Sequence, residues 1–167
     1  MNHNKIIITG DSGRGKTTFA EKLSRKTSIP WHSTDDYFYE VKFTKPRDKQ
    51  ESVQMVSKLY QGDKWIIEGT TQRLIEPGLE LADIIIYLHF KTIFSQWFSI
   101  IKRNFTKGNG GGKESWAGLF QLLKHVYYKK KGKYKDKQTQ LEFVSPHKNK
   151  LIILNSFKEM NAFINKL

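Results

Sequence analysis

The sequence contains no cysteine and only four prolines among its 167 residues. Without cysteine the chain can form neither disulfide bonds nor Cys-ligated zinc sites. The longest apolar run, Ile84 to Leu88, is far shorter than the roughly 20 residues that a membrane span needs. The N-terminal segment 1–4 is polar and leads directly into an apolar run, so we expect no signal peptide. We therefore expect a single domain over residues 1–167, in the cytoplasm and without a membrane partner.

Acidic residues are also few, since 16 Asp and Glu stand against 29 Lys and Arg, giving a net charge of +13. Residues 102–150 hold 13 of the cations against three acids, and thus +10 of that charge. A basic block of this kind can bind polyphosphate or nucleic acid, or it can be only a solvated lysine-rich surface. For the tract from Lys129 to Lys137 we favour the solvated surface.

The most informative segment is Gly10-Asp11-Ser12-Gly13-Arg14-Gly15-Lys16-Thr17, which fits the pattern G-x-x-x-x-G-K-[ST]. Glycines at these spacings let the backbone adopt positive φ and point successive N–H groups at phosphate oxygens. The Lys16 ammonium would reach the β- and γ-phosphates, and the Thr17 hydroxyl would bind Mg²⁺. We therefore predict that residues 10–18, including Thr18, bind ATP with Mg²⁺ and that Lys16 takes part in catalysis. The sequence leaves the choice between adenine and guanine open.

Short apolar runs alternate with helix-like segments along the chain, without repeats or a Ser/Pro-rich linker. The predicted strands are Lys5–Thr9, Ile29–Ser33, Lys64–Glu68, Asp83–His89 and Leu151–Leu154. The predicted helices are Lys16–Lys26, Asp48–Gln61, Gln72–Leu81, Thr92–Phe105, Ser115–Lys129 and Ser156–Lys166. Apolar strands without polar alternation, separated by helices, indicate the α/β class, with a parallel sheet covered on both faces.

Charged residues that follow the predicted strands are the candidate site residues, because ligands of a parallel sheet bind at the carboxyl ends of its strands. Asp35 and Asp36 follow the second strand, where a carboxylate can accept a proton from an attacking hydroxyl, hold a metal-bound water or cap a helix. We take Asp35 as a catalytic and acceptor-binding residue. Glu68 ends the third strand and is our candidate for binding Mg²⁺ through water. Arg73 follows within reach of an anionic acceptor, and we assign it to acceptor binding.

His89 ends the fourth strand, where an acidic residue would be simpler for a magnesium site, and we expect a buried, hydrogen-bonded histidine without a chemical role. Arg103 is our third catalytic candidate, since its guanidinium could neutralise the transferred phosphate, although it could also bind free carbonyls at a helix end. The segment Lys107–Lys113 contains four glycines and no apolar residue. We expect a flexible loop there, either a lid over the phosphates or a plain connector.

Together these segments resemble small P-loop proteins related to adenylate kinase, and more closely the bacterial family of DNA topology modulation proteins. The resemblance rests on Gly10–Thr18, on Ile29-Pro30 leading to Asp35 and Phe38, on Trp65–Gly69, on Ala82–Leu88, on Lys102-Arg103, and on Leu151–Asn155 followed by a helix. It covers essentially the whole chain, but only the phosphate loop is specific by itself.

The resemblance implies a P-loop NTPase fold with a five-stranded parallel sheet in the order 2-3-1-4-5. It also implies an acceptor-binding insertion over about 35–62 and a short lid within the basic region 103–137. The family pattern has aspartate in place of Glu68 and of His89. The first change keeps the charge, and the second weakens the case for strong magnesium-dependent turnover.

Three functions fit these observations. We favour an ATP-dependent, kinase-like phosphotransferase acting on a nucleotide or another small acceptor, because it uses the carboxylates after the second strand and the glycine-rich loop. The alternative is a nucleic-acid-linked protein, either a polynucleotide kinase or a nucleotide-dependent topology modulator, whose 102–150 region contacts the phosphate backbone. The third is a P-loop domain that only hydrolyses its nucleotide slowly.

Overall fold

The computed structural model describes residues 3–10, 13–41, 44–89 and 139–167. Its centre is a parallel sheet of five short strands, and an antiparallel pair of strands lies outside that sheet. The strands are β1 (Lys5–Gly10), β2 (Trp31–Ser33), β3 (Tyr39–Val41), β4 (Lys45–Pro46), β5 (Trp65–Gly69), β6 (Ile84–Leu88) and β7 (Leu151–Leu154). The parallel sheet has the order β2-β5-β1-β6-β7. Counted in chain order, its five strands follow the predicted order 2-3-1-4-5, so that prediction is confirmed.

Helices cover both faces of the sheet, as its apolar strands require. They are α1 (Lys16–Thr27), α2 (Thr34–Phe38), α3 (Lys49–Tyr60), α4 (Gln72–Leu79), α5 (Gln140–Val144) and α6 (Phe157–Asn165), with a 3₁₀ helix over Ser145–Lys150. On one face, α1 and α6 pack against Ile6 and Ile8 of β1. On the other face, α3, α4 and α5 pack against Ile7. These three isoleucines are at most 2% exposed, so the strand that leads into the phosphate loop is held at the centre of the core.

The structure differs from the sequence-based expectations at short elements and at element ends. β2 begins at Trp31 rather than Ile29, and α4 ends at Leu79 rather than Leu81. The region between Asp35 and residue 62 contains α2, the β3–β4 pair and α3, of which only α3 was predicted. α5 and the 3₁₀ helix were also not predicted, because elements this short leave no periodic pattern. The two helices predicted within 92–129, the lid and Arg103 lie outside the described residues.

Candidate nucleotide-binding site

The phosphate loop connects the end of β1 to the start of α1, the strand-loop-helix context that the motif requires. Gly10, Gly13 and Gly15 have φ values of +139°, +74° and +76°, so the predicted positive-φ glycines are confirmed. At Gly10 a Cβ atom would also lie only 2.5 Å from the Leu88 carbonyl oxygen. Gly15 forms the N-terminal boundary of α1 without a side-chain cap, and the start of a helix is a place where backbone amides bind anions. Asp11 and Ser12 lie outside the described residues.

Lys16 is the first residue of α1, and its side chain is only 9% exposed. Its Nζ donates a hydrogen bond to the Gly10 carbonyl oxygen at 3.1 Å, so the side chain reaches back to the start of the loop. Arg14, one of the variable positions of the motif, is buried. Thr18, by contrast, is exposed on α1. The loop therefore holds an ammonium group beside its own backbone, where phosphates would bind.

Glu68 lies beside this loop, at the carboxyl end of β5, and is 4% exposed. The Thr17 hydroxyl donates to Glu68 Oε1 at 3.0 Å. Burial is the largest influence on the Glu68 carboxyl and raises its pKa, and the charge of Asp35 acts in the same direction. The Lys16 ammonium and the hydroxyls of Ser33 and Thr17 lower that pKa. The structure thus brings together four of the predicted site residues, Lys16, Thr17, Asp35 and Glu68.

Asp35 is positioned by α2, which begins directly after β2. Ser33 pairs with Glu68 across the β2–β5 ladder, and its Oγ accepts a hydrogen bond from the Asp35 backbone N–H at 3.3 Å. Ser33 therefore caps this helix, and the alternative in which Asp35 or Asp36 is the cap is wrong. Asp35 is half-buried, whereas Asp36 is exposed. Sequence reasoning missed Ser33, although serine before Thr34 and two aspartates is an N-cap signal.

Arg73 lies in the first turn of α4, on the α2 and α3 side of the site. Its Cζ is 4.7 Å from the centroid of the Phe38 ring, a cation–π geometry. Its charge contributes to lowering the pKa of Asp48, after the larger effect of the backbone N–H groups that Asp48 caps. Arg73 Nε is buried without a hydrogen-bond partner in the described part of the chain. In the described part of the chain, the guanidinium therefore lies against an aromatic ring and keeps its Nε–H without an acceptor.

His89 follows β6 and differs from its prediction. Its backbone N–H donates to the Leu154 carbonyl oxygen at 2.8 Å, and its ring stacks on Tyr87 with centroids 6.1 Å apart. Nδ1 is buried but has no hydrogen-bond partner among the residues described. The expected hydrogen-bonded ring is therefore wrong for this nitrogen, because residues two apart on a strand share a face and the ring meets an aromatic side chain there.

The donor set fits a magnesium–nucleotide complex. Thr17 and Glu68 supply a hydroxyl and a carboxylate oxygen next to each other, and Mg²⁺ takes oxygen ligands and completes its shell with water and substrate phosphates. The positive-φ glycines supply the backbone cradle. Within the described ranges there is no group of three or more His, Asp or Glu placed to hold a metal ion. In the same ranges no helix combines the length and apolar character needed to cross a membrane.

No protein-family model matches the chain, so the resemblance to the DNA topology modulation proteins stays a prediction. Among curated proteins, the uncharacterised protein YqaC of Bacillus subtilis (strain 168) is 31% identical over 84 residues. The matched part spans about half of each protein, 50% of this chain and 47% of YqaC.

Several solved kinase structures share the fold. Shikimate kinase from Bacteroides thetaiotaomicron aligns with 99% of this chain and 96% of its own, with 15% identity and a TM-score of 0.56. Shikimate kinase from Acinetobacter baumannii, in complex with shikimate, aligns with 98% of this chain and 89% of its own, with 14% identity and a TM-score of 0.55. A gluconokinase from Sinorhizobium meliloti 1021 aligns with 98% of this chain and 92% of its own, with 12% identity and a TM-score of 0.52. The chain therefore has an α/β fold of the P-loop NTPase type, with a five-stranded parallel sheet and covering helices as in these kinases.

Proposed function

We propose that this chain is a kinase-like phosphotransferase that transfers the γ-phosphoryl group of Mg-ATP to a nucleotide or another small acceptor. The observation that carries the proposal is the contact of Thr17 with Glu68 beside Lys16 and a loop of positive-φ glycines. These groups match the chemical needs of a magnesium–triphosphate complex. The fold shared with shikimate kinase and gluconokinase supports the same reaction class.

Each residue has a distinct role in this proposal. Backbone amides of residues 10–18 and the start of α1 bind the phosphates, and Lys16 neutralises the β- and γ-phosphates. Thr17 would bind Mg²⁺ directly and Glu68 through water. When bound, the ion would neutralise charge on the phosphate oxygens. Arg103, outside the described residues, remains our prediction for an additional cation at the transferred phosphate.

The transfer itself requires a base and a place for the acceptor. The acceptor hydroxyl oxygen forms a bond to the γ-phosphorus, the bond from that phosphorus to the β,γ-bridging oxygen breaks, and ADP leaves. Asp35, half-buried beside Glu68, accepts the hydroxyl proton. Arg73 binds an anionic group of the acceptor, which suits its buried Nε, a donor without a partner among the residues that the structure describes. Shikimate, the ligand of one similar structure, is an acid with several hydroxyls and thus represents one acceptor class to test.

The decisive experiment measures ADP release from Mg-ATP with a panel of acceptors: nucleoside monophosphates, nucleosides, hydroxy acids, sugars and 5′-hydroxyl oligonucleotides. We expect one small-acceptor class to stimulate turnover and Lys16→Ala to abolish the stimulation. Lys22→Ala is the matched control, because Lys22 is an exposed lysine of the same helix whose Nζ lies 3.5 Å from Asn161 Oδ1. Stimulation by oligonucleotides alone would favour the nucleic-acid-linked alternative. A flat panel with Lys16-dependent ATP binding would contradict the proposed transfer.

The catalytic role of Asp35 is tested against its neighbour. We expect Asp35→Asn to lower acceptor-stimulated kcat by about 100-fold or more, the usual effect of losing a general base. Asp36→Asn removes the same charge from the adjacent exposed position and should leave kcat within a factor of about two, since surface substitutions are usually mild. Equal losses in the two variants would rule out a specific base at Asp35.

A further inference from the structure

A chain of buried hydrogen bonds connects α5 to the nucleotide-binding edge of the sheet. Gln140 Nε2 donates to Thr9 Oγ1 at 2.7 Å, and Thr9 Oγ1 donates to the Gly69 carbonyl oxygen at 2.9 Å. Thr9 has no solvent exposure, and Gln140 is 6% exposed. The first of these bonds joins residues 131 positions apart in the sequence. The start of α5 does not depend on these two bonds, because its capping box is formed by Thr139 and Glu142.

The direction of the two bonds is fixed by chemistry. A carbonyl oxygen can only accept, so the single hydroxyl proton of Thr9 is directed at Gly69. The Thr9 oxygen is then left as an acceptor, and its partner must be a hydrogen-bond donor, as the Gln140 amide N–H is. A leucine or an ionised glutamate at position 140 could not donate this bond. The position therefore requires a hydrogen-bond donor, which glutamine supplies without bringing a charge into the buried site.

Both ends of the Thr9 contact lie one residue from the candidate site. Thr9 precedes Gly10, where the phosphate loop begins, and Gly69 follows Glu68, which accepts from Thr17. Thr9 and Gly69 also face each other in the β1–β5 ladder, so the hydroxyl bond braces a pair that the backbone already aligns. On its other side Gly69 packs so closely on Thr34 that a Cβ atom at position 69 would overlap the Thr34 side chain. The peptide after Glu68 is thereby fixed from two directions.

We infer that Gln140 is a positioning residue, which acts through Thr9 and Gly69 to hold Glu68 and the phosphate loop in the geometry that binds Mg-nucleotide. The inference rests on the proposed function, because it names how that site is kept in place. Partners of metal-binding side chains that lie one layer further out commonly alter metal affinity by about 10-fold or more when they are lost. Gln140 acts one step further out than such partners, through Thr9 and Gly69, so we expect the lower end of that range, about 10-fold, for Mg-ATP binding.

The test compares Gln140→Leu with the wild type by isothermal titration of ATP, with and without Mg²⁺, and by urea unfolding. We expect the Kd for Mg-ATP to rise about 10-fold and the Kd for ATP without Mg²⁺ to change less. Tyr60→Phe is the matched control, because it removes another buried bond on the same face of the sheet, from Tyr60 Oη to the Leu74 carbonyl oxygen at 2.9 Å. Tyr60→Phe should lower stability without changing either Kd.

If Gln140→Leu does not fold, Gln140→Met keeps more of the original side-chain shape and serves instead.

The double variant Thr9→Val/Gln140→Leu separates positioning from stability. Removing both partners leaves no orphaned hydroxyl, so stability should recover relative to the single variant. We expect Mg-ATP affinity to stay low, because the double variant also lacks the bond from the Thr9 hydroxyl to the Gly69 carbonyl oxygen. The positioning role would be overturned if the double variant regained both stability and Mg-ATP affinity. It would also be overturned if Gln140→Leu and Tyr60→Phe had the same Kd for Mg-ATP. Failure of the wild type to bind Mg-ATP would instead overturn the proposed function and this inference with it.

Discussion

Glu68 is the residue whose environment most affects the behaviour of the site. Its side chain is 4% exposed, and burial raises the pKa of its carboxyl. The neighbouring Lys16 ammonium and Thr17 hydroxyl favour the charged form without being the largest influence. Burial thus favours the neutral form of the carboxyl that we propose to bind Mg²⁺ through water.

The raised pKa of Glu68 predicts how stability depends on pH without Mg²⁺. Below the ordinary glutamate pKa of 4.5, the carboxyl is protonated in both states and its contribution to stability is complete. As the pH rises, the unfolded chain releases this proton first, so the free energy of unfolding falls until the pH passes the folded pKa. We expect Glu68→Gln to remove this part of the fall.

The measurement is urea unfolding of both proteins over roughly pH 4 to 8, taken as the difference between them. The difference is needed because Glu142 and Asp48 have lowered pKa values. Their contribution to the stability of the protein is lost as the pH falls, which is opposite to the effect of Glu68. A wild-type curve parallel to that of Glu68→Gln across the whole range would contradict the assignment.

At the scale of elements, the start of α2 lies between Asp35, the proposed base for the acceptor, and Glu68, the proposed magnesium-binding residue. Its cap, Ser33, accepts from the Asp35 N–H, and its hydroxyl also lowers the pKa of Glu68. We expect Ser33→Ala to destabilise the protein by about 1 kcal/mol, as for other lost caps, and to raise the pKa of Glu68 further. Both effects follow from one hydroxyl.

Ser156→Ala is the matched change at another helix, since Ser156 Oγ accepts from the Glu159 N–H at 3.2 Å at the start of α6. It should cost a similar amount of stability and leave the pKa of Glu68 unchanged. Carbon-13 NMR titration of the Glu68 carboxyl would measure both variants. An equal shift in the two would show that Ser33 acts only through general destabilisation.

Elements with a local signal in the sequence could be predicted, and the others could not. α1, α3 and α6 were predicted to within one or two residues of the observed ends, because apolar spacing and cap residues mark them. β4 has two residues and α2 has five, which is too short for any periodicity to show. The phosphate loop could be predicted because all its residues are contiguous. Gln140 could not, because its partner Thr9 is 131 residues away and Thr139-Gln140-Leu141-Glu142 signals only a helix start.

At the scale of the whole molecule, the net charge of +13 is the dominant electrostatic property. Self-repulsion of like charges destabilises a compact chain, and salt screens it. We expect the free energy of unfolding to rise between about 0.01 and 0.15 M NaCl, as the Debye length falls from about 30 to about 8 Å. Urea unfolding at fixed pH measures this. Changing Lys129, Lys130 and Lys131 to Gln should reduce the rise, and an unchanged or reversed salt dependence would contradict the expectation.

The position of β1 has a consequence for how the protein is made. β1 is synthesised before both of its neighbours in the sheet, β5 and β6, which end at Gly69 and Leu88. A ribosome-bound chain that stops before β6 therefore carries the complete phosphate-binding motif but lacks the Leu88 partner of Gly10. We expect such nascent chains to be unable to use nucleotide as a folding ligand. During translation, the strand that carries the phosphate-binding motif is thus paired on both sides only after β6 has been made.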